Sequence, residues 1–370
     1  MKKTAKGLIA FLIGISMILT ACNVTPNAPS NGSAPTTAGV VQPAVPLEGA
    51  SVVLKVSHPD NDSSLLEHTW NCYARVFKNS VEIYSGGEMT CDIYPNDQLG
   101  DLTSCIEQCS QGTIDVALSA ATGNLASWIP NINIFDIPYI IGDMDVCNLV
   151  CEGEVYQDLS TALDKAANMR IMSMFQTGFR NVDTWKAPVK SVSDLAGMKL
   201  RLQEIDAHIA MAEAWKAVPT TVSFSELYSA ATTGVIDGFE NCNYTLFMKN
   251  LYETVKYITE TQHLANVCVA LISSSTYGKL TPEQQSIVDR AAADARRATI
   301  GVVAANNVNV VSRLQERGIE FISLSDEEKA AFKDACYEPC KTTVLQTVDV
   351  SFYNKFIEAY AEAEKLIGKS

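Results

Sequence analysis

Between Gly197 and Asn243 short apolar runs alternate with stretches of helical period. The pattern predicts a strand over Met198–Leu202, a helix over about Asp206–Ala217 and a strand over Thr220–Ser223. A helix over about Ser225–Thr233 and a strand over Val235–Glu240 complete the run. Strands separated by helices in this way imply parallel βαβ units. The same alternation opens the domain, with strands at Val52–Ser57, Met89–Tyr94 and Ile114–Leu118 and helices at Ser64–Tyr84 and Leu102–Ser110. A helix over Val146–Ala166 and a strand over Arg170–Phe175 then lead to a crossing near Thr177. Beyond Asn243 the pattern predicts a helix at about Leu246–Ile258 and a buried strand around Val267–Ser273. A long helix follows, Pro282 to Glu316, which opens on Thr281 as N-cap, Pro282 at its first position and Gln284 at its third. Helices at Asp326–Thr347 and Phe352–Leu366 are expected to finish the second of two lobes, because about 320 residues exceed what one small core accommodates.

The chain's first 50 residues read differently. Lys2, Lys3 and Lys6 precede an apolar run from Leu8 to Leu19, too short to span a bilayer, so residues 1–21 read as a targeting segment. Leu19-Thr20-Ala21-Cys22 has the form of a lipobox, in which the Cys22 thiol would carry the lipid; an ordinary cleaved signal and an uncleaved anchor are the alternatives. Residues 22–50 hold five prolines and one charge, Glu48, and read as a disordered tether to the membrane surface. The expected location is therefore extracytoplasmic, periplasm or cell surface.

Charge narrows the partners. Without the three leader lysines the chain has 25 basic and 42 acidic residues, a net of about −17, and no basic stripe. Nucleic acid is excluded as a partner on that ground. Cysteines number eleven; Cys105/Cys109, Cys147/Cys151 and Cys336/Cys340 are spaced by one helical turn, which is not zinc spacing. With Cys22 set aside, ten remain, and at least one disulfide is left open without a pairing. No nucleophile elbow, phosphate loop, dinucleotide fingerprint or His cluster is present, so neither a catalytic residue, a metal nor a cofactor is expected.

In open α/β sheets, ligands sit outside the carboxyl ends of parallel strands. Arg201 falls near such an end, Asn241 just past another, and Ser119 in the loop after Leu118. A planar guanidinium suits bidentate capture of a carboxylate, whereas an isolated strand arginine is also a common solvated residue. Glu226 has a structural explanation, since Ser223-Phe224-Ser225-Glu226 has the form of a capping box.

Several ordered motifs carry a family resemblance: Gly197–Arg201 (G-x-K-x-R), Phe224–Tyr228 (F-S-E-x-Y) and Thr233–Asn241 (T-G-V-x-D-G-x-E-N). Tyr94–Gly100, Gly112–Leu118, Ile137–Ile140 and the G-x-R of Gly178–Arg180 extend it. The chain from about Ser51 onward resembles the solute-binding subunits of tripartite ATP-independent (TRAP) transporters, the C4-dicarboxylate-binding-protein-like family. The resemblance implies a two-lobed periplasmic-binding-protein-like α/β fold, each lobe a sheet flanked by helices, with a long helix spanning both. Lobe I would comprise residues 51–177 and 267–306, and lobe II residues 178–266 and 307–370. Arg180 could be a structural ion-pair partner and Phe224 a core aromatic; the resemblance implies instead that Arg180 is a second ligand contact or an organiser of the cleft, and that Phe224 lines the pocket. Phe239 and Cys242 depart from the usual Gln and Pro around the Glu-Asn pair, so the pocket wall should differ from that of relatives.

The expected function is capture of a small organic acid, a sugar acid or a C4-dicarboxylate, by lobe closure. Delivery would be to TRAP permease membrane subunits, from a monomer held to the membrane by its lipid. Presentation of the ligand to a sensor protein and an extracytoplasmic enzyme acting on a carboxylated sugar are the competing classes.

Overall fold

A computed structural model of the chain describes residues 49–62 and 68–369, without the side chains of residues 119 and 120. The targeting segment, Cys22 and nearly all of the tether lie outside the described residues.

Two of the expected strands lie where alternation placed them: β1 (Val52–Ser57) and β2 (Met89–Tyr94), paired in parallel and linked by α1 (Thr69–Tyr84). Tyr73, Phe77 and Val81 recur every four residues on α1 and bury one face. Helix α2 (Leu102–Gln111) starts on Asp101, whose carboxylate accepts from the Ser104 N–H, and ends at Gly112 in the left-handed conformation. Strand β3 (Val116–Ala121) pairs in parallel with β1. The helix expected over Val146–Ala166 is two, α3 (Met144–Val150) and α4 (Glu154–Ala167), because Gly153 caps the second. Next come β4 (Met169–Thr184), β5 (Lys199–Leu202), α5 (Asp206–Ala214) and β6 (Val218–Thr221). A 3-10 turn, Phe224–Glu226, then precedes α6 (Leu227–Thr233). The capping box expected there is not formed, since the Ser223 hydroxyl donates to the Glu226 carboxylate (2.6 Å) and no side chain caps the backbone.

The chain continues through β7 (Gly238–Cys242), α7 (Asn243–Met248), β8 (Tyr257–Ser273), α8 (Ser274–Tyr277) and α9 (Pro282–Gln315). It ends with β9 (Glu320–Ile322), α10 (Asp326–Val344) and α11 (Val350–Leu366). The helix expected over Leu246–Ile258 is largely turn and 3-10 helix: α7 stops at Met248, a 3-10 helix spans Leu251–Thr254 and β8 already begins at Tyr257. The reciprocal cap of α9 forms as read, Gln284 N–H donating to the Thr281 hydroxyl (3.2 Å) and Thr281 N–H to the Gln284 side chain (3.0 Å).

Among the described residues, nine strands make one sheet in the order β2-β1-β3-β8-β4-β7-β5-β6, with β9 on the far part of β8. Two parallel groups, β1 to β3 and β5 to β7, are therefore joined through the antiparallel pair β4 and β8, of 16 and 17 residues. The sheet expected in each lobe is thus present as its parallel group, and the two are continuous through β4 and β8. Of the four hydrophobic cores, one belongs to lobe I and two to lobe II, while the fourth, built on α3 and α4, also takes in Ile205, Ala207 and Val344.

Helix α9 belongs to both lobes. Ile287 to Ala295 pack on α1 in lobe I, and Val310 and Leu314 pack with Phe239 and Ile258 in lobe II. Helix α11 does not finish lobe II as expected. Its Phe352, Phe356 and Ala363 join the core built on α3 and α4 of lobe I, with Phe356 edge-on to Phe135 at 5.3 Å. The apolar face of an amphipathic helix does not say which core it joins.

The β4/β8 ladder changes register between Gln176 and Phe179. Gly178 sits in that irregularity at φ +135°, which L side chains rarely adopt, and a Cβ there would lie 3.4 Å from the Asn307 amide. Asn266 donates to the Thr177 hydroxyl (2.7 Å), and Asn307 of α9 to the Thr177 carbonyl (3.3 Å). The crossings read from the sequence at Thr177 and Asn266 thus face each other at one point, beside the long helix.

Candidate functional site

Arg201 is the penultimate residue of β5 and is 1% exposed. Its Nε and Nη2 both donate to the Val222 carbonyl, at 2.9 and 2.6 Å. Its Nη1 is buried without a hydrogen-bond partner among the described residues. Burial holds its pKa down at about 10, with Glu240 opposing and Arg180 adding to the shift, so the group is still a cation at neutral pH. The guanidinium is thus fixed by one carbonyl and has donor capacity left in a buried setting.

Arg180, the first residue past the hinge glycine that pairs with β7, is engaged on every side. Nε and Nη2 form a forked ion pair with the Glu240 carboxylate, Nη2 also reaches the Glu240 carbonyl (2.8 Å), and Nη1 donates to Asn266 (2.9 Å). Burial works against its charge, but Glu240 outweighs it and raises the pKa. For Glu240, burial works to keep the proton on, while the charge of Arg180 and hydrogen bonds from His263 and Arg180 prevail and hold the carboxyl well below its ordinary range. Asp183, buried three residues further along β4, has neither carboxylate oxygen partnered among the described residues. Burial and the nearby Glu240 charge push its pKa well up. The cluster accordingly holds one balanced pair, Arg180 with Glu240, and one unbalanced cation, Arg201.

The other expected residues are placed as follows. Asn241 lies inside β7, not past it, because that strand runs to Cys242 and not to Glu240. Its side-chain oxygen accepts from the Cys242 N–H (2.9 Å), which orients the amide and leaves its NH2 able to donate to a ligand. Arg180, Asn241 and Arg201 are brought onto three successive strands, β4, β7 and β5. Phe224 is not a core aromatic: it is 39% exposed in the turn just after Val222, whose carbonyl holds Arg201. Ser119 is not in a loop but within β3, where the pairing with β8 is irregular, and its side chain is outside the described ones. The two departures are buried: Phe239 packs in a lobe II core, and the Cys242 thiol meets Thr245 at 2.9 Å.

The lobes touch across the cleft. The Thr69 N–H donates to the Tyr244 hydroxyl (2.8 Å), Lys249 to the Pro59 carbonyl (2.8 Å), and Ile205 packs so closely on Gly123 that a Cβ there would lie 2.2 Å from it. His208 of α5 reaches Asp136 of lobe I at 3.2 Å. Sequence reasoning missed these contacts and one further group, His58. That residue directly follows β1, is 1% exposed, and has neither ring nitrogen hydrogen-bonded among the described residues. Its signal, a polar residue at a parallel strand's carboxyl end, is the same one that singled out Arg201. The ten described cysteines are all buried and unbridged. Among the described residues no group of His, Cys, Asp or Glu has the arrangement of a metal site, and no helix is long and apolar enough to cross a membrane.

Two α/β lobes on a double-strand hinge, with a buried unbalanced arginine near the carboxyl end of a parallel strand, have the architecture of a solute-binding protein. The family described as bacterial extracellular solute-binding protein, family 7 (DctP), matches residues 64–345, and the chain belongs to it. A solute-binding protein of Roseobacter denitrificans is 27% identical over 285 residues, 77% of this chain and 86% of that protein. The crystal structure of a TRAP periplasmic solute-binding protein from R. denitrificans, with bound L-galactonate, superimposes with TM-score 0.74 at 26% identity, covering 84% of this chain and 99% of that one. The sialic acid-binding periplasmic protein SiaP of Vibrio cholerae is 30% identical over 246 residues, 66% of this chain and 76% of that protein. A TRAP periplasmic solute-binding protein of Polaromonas, solved with D-erythronate, matches at TM-score 0.75 and 25% identity over 84% of this chain and 98% of its own. The protein is thus a solute-binding component of the TRAP type.

Proposed function

We propose that the protein captures a small organic carboxylate by closing its lobes, holds the carboxylate on Arg201, and hands the ligand to the membrane subunits of a TRAP permease. The observation that carries this reading is the buried Arg201 guanidinium, pinned by the Val222 carbonyl with Nη1 unpartnered among the described residues. A buried cation without a counterion is costly, and an anionic ligand removes the cost. Asn241 donates to the ligand beside it, Phe224 walls the pocket, Arg180 organises the cleft through Glu240, and Ser119 belongs to the facing lobe. The relatives solved with L-galactonate and D-erythronate support an acid as ligand. On this reading the protein is not an enzyme and acts as a monomer, tethered by lipid on Cys22 to the outer side of a membrane. Lobe I spans 51–177 and 267–306, and lobe II 178–266 and 307–370, with the last helix returning to lobe I.

A thermal-shift screen of the full-length protein against organic acids and their uncharged amides tests the reading. A matching acid at about 100 times its Kd should add roughly 2.7 kcal/mol of stability, and its amide little. Equal shifts from acid and amide would contradict a carboxylate anchor.

A further inference from the structure

We propose that His58 contacts the ligand from lobe I and takes one of its hydroxyl groups, so that the cleft suits a hydroxylated monocarboxylic acid. The inference rests on Arg201 being the carboxylate anchor. It begins from a pair of equivalent positions. Arg201 stands at the carboxyl end of β5 in the parallel group of lobe II, and His58 follows the carboxyl end of β1 in that of lobe I. Ligands of open α/β sheets lie beyond such ends.

Position is joined by an unmet need. His58 is 1% exposed, and neither Nδ1 nor Nε2 has a hydrogen-bond partner among the described residues. Buried polar groups without partners are rare and each calls for a partner; for His58, at the carboxyl end of a parallel strand, a ligand group supplies one. The neighbouring residue, Pro59, accepts from Lys249 of lobe II, which places His58 where the lobes meet.

The ring's chemistry selects the partner. The charged and titratable groups around it are Asp60, Asp62 and His68 of its own lobe and Lys249 of the other. Burial prevails over the acids, and the ring is neutral at physiological pH. A neutral imidazole offers one donor and one acceptor, and a hydroxyl matches both. A carboxylate has only acceptors and would leave one nitrogen unmet, set against a lone pair. The cations agree: Arg180 is balanced by Glu240, Lys249 donates to the Pro59 carbonyl and acts on Asp97, and among these three Arg201 is left for an anion.

The test is calorimetric titration of the full-length protein with L-galactonate, D-gluconate and D-erythronate, and with galactarate, which carries a second carboxylate. The inference predicts that at least one hydroxylated monocarboxylate binds ten or more times tighter than galactarate. For that acid, His58→Leu should weaken binding tenfold or more, and His58→Gln, which keeps a donor and an acceptor, should stay within about threefold of wild type. Galactarate binding as tightly as the best monocarboxylate would overturn the inference, as would unchanged affinity in His58→Leu or equal loss in the two variants. Arg201→Lys is titrated in parallel. If it keeps wild-type affinity the anchor reading fails; if it loses affinity while His58→Leu does not, only the role of His58 falls.

Discussion

At the scale of single residues, the site depends on which charges have partners. Glu240 is fully buried and carries the whole counter-charge of Arg180. Removing it leaves a buried cation, so Glu240→Gln should destabilise the fold by about 3–5 kcal/mol in denaturant unfolding at neutral pH. Because its folded pKa lies below its unfolded value, this stabilisation is present above about pH 4.3 and disappears as the pH falls from there. His58 acts over a different window. Its pKa falls from 6.5 unfolded to about 4 folded, so protons bind the unfolded chain first between those values. That costs on the order of 3 kcal/mol by pH 4 and nothing above pH 6.5. Asp183, whose pKa is raised, gains stability as pH falls, so the readout is the difference between proteins. Wild type should lose stability relative to His58→Gln from pH 6.5 to 4; parallel curves would contradict a buried neutral imidazole. Arg201 was legible from the sequence as a polar residue near a strand's carboxyl end, whereas Asn241 was expected past its strand and lies within it. That Arg180 could be an ion-pair partner was legible, but its commitment to Glu240 was not, because nothing in spacing tells a ligand-facing arginine from one answered 60 residues away by a carboxylate on the next strand.

At the scale of elements, the hinge is two strands and a helix meeting at Gly178. The φ of +135° there suits glycine, and the Asn307 amide and Cys242 Cβ stand 3.4 and 3.5 Å from where a Cβ would be. Gly178→Ala should therefore cost about 1–3 kcal/mol, chiefly as backbone strain. Denaturant midpoints measure this, and a variant as stable as wild type would show that the strain is relieved elsewhere. Hydrophobic alternation located β1, β2, β5 and the long α9, whose caps and periods are local. It did not reveal that Arg170–Phe175 and Val267–Ser273 are halves of strands 16 and 17 residues long. Those strands carry polar residues such as Gln176, Thr177 and Asn266 through the hinge, where hydrogen bonding to each other and to α9 replaces apolar burial. The expected helix at Leu246–Ile258 failed for a related reason. Tyr257–Thr259 pair with β4 and β9, long-range partners that a short apolar run does not announce.

At the scale of the whole molecule, a strongly acidic chain of two lobes that share a sheet and a helix buries the unbalanced cation of Arg201. Two lobes were legible from length and repeated βαβ pattern; the return of α11 to lobe I was not, since it depends on which of four cores offers room for Phe352 and Phe356. The account stands on Arg201 as the anchor of the ligand's carboxylate. The most direct measurement is calorimetric titration of Arg201→Lys with the acid that most stabilises the wild type, with the melting of the ligand-free variant confirming its fold. Lysine keeps the charge and loses the planar fork, so one end can no longer hold both the Val222 carbonyl and a carboxylate. The account predicts a loss of roughly 2–5 kcal/mol in binding, as for truncating one partner of a buried charged pair. Affinity within about threefold of wild type, less than 1 kcal/mol, would contradict it.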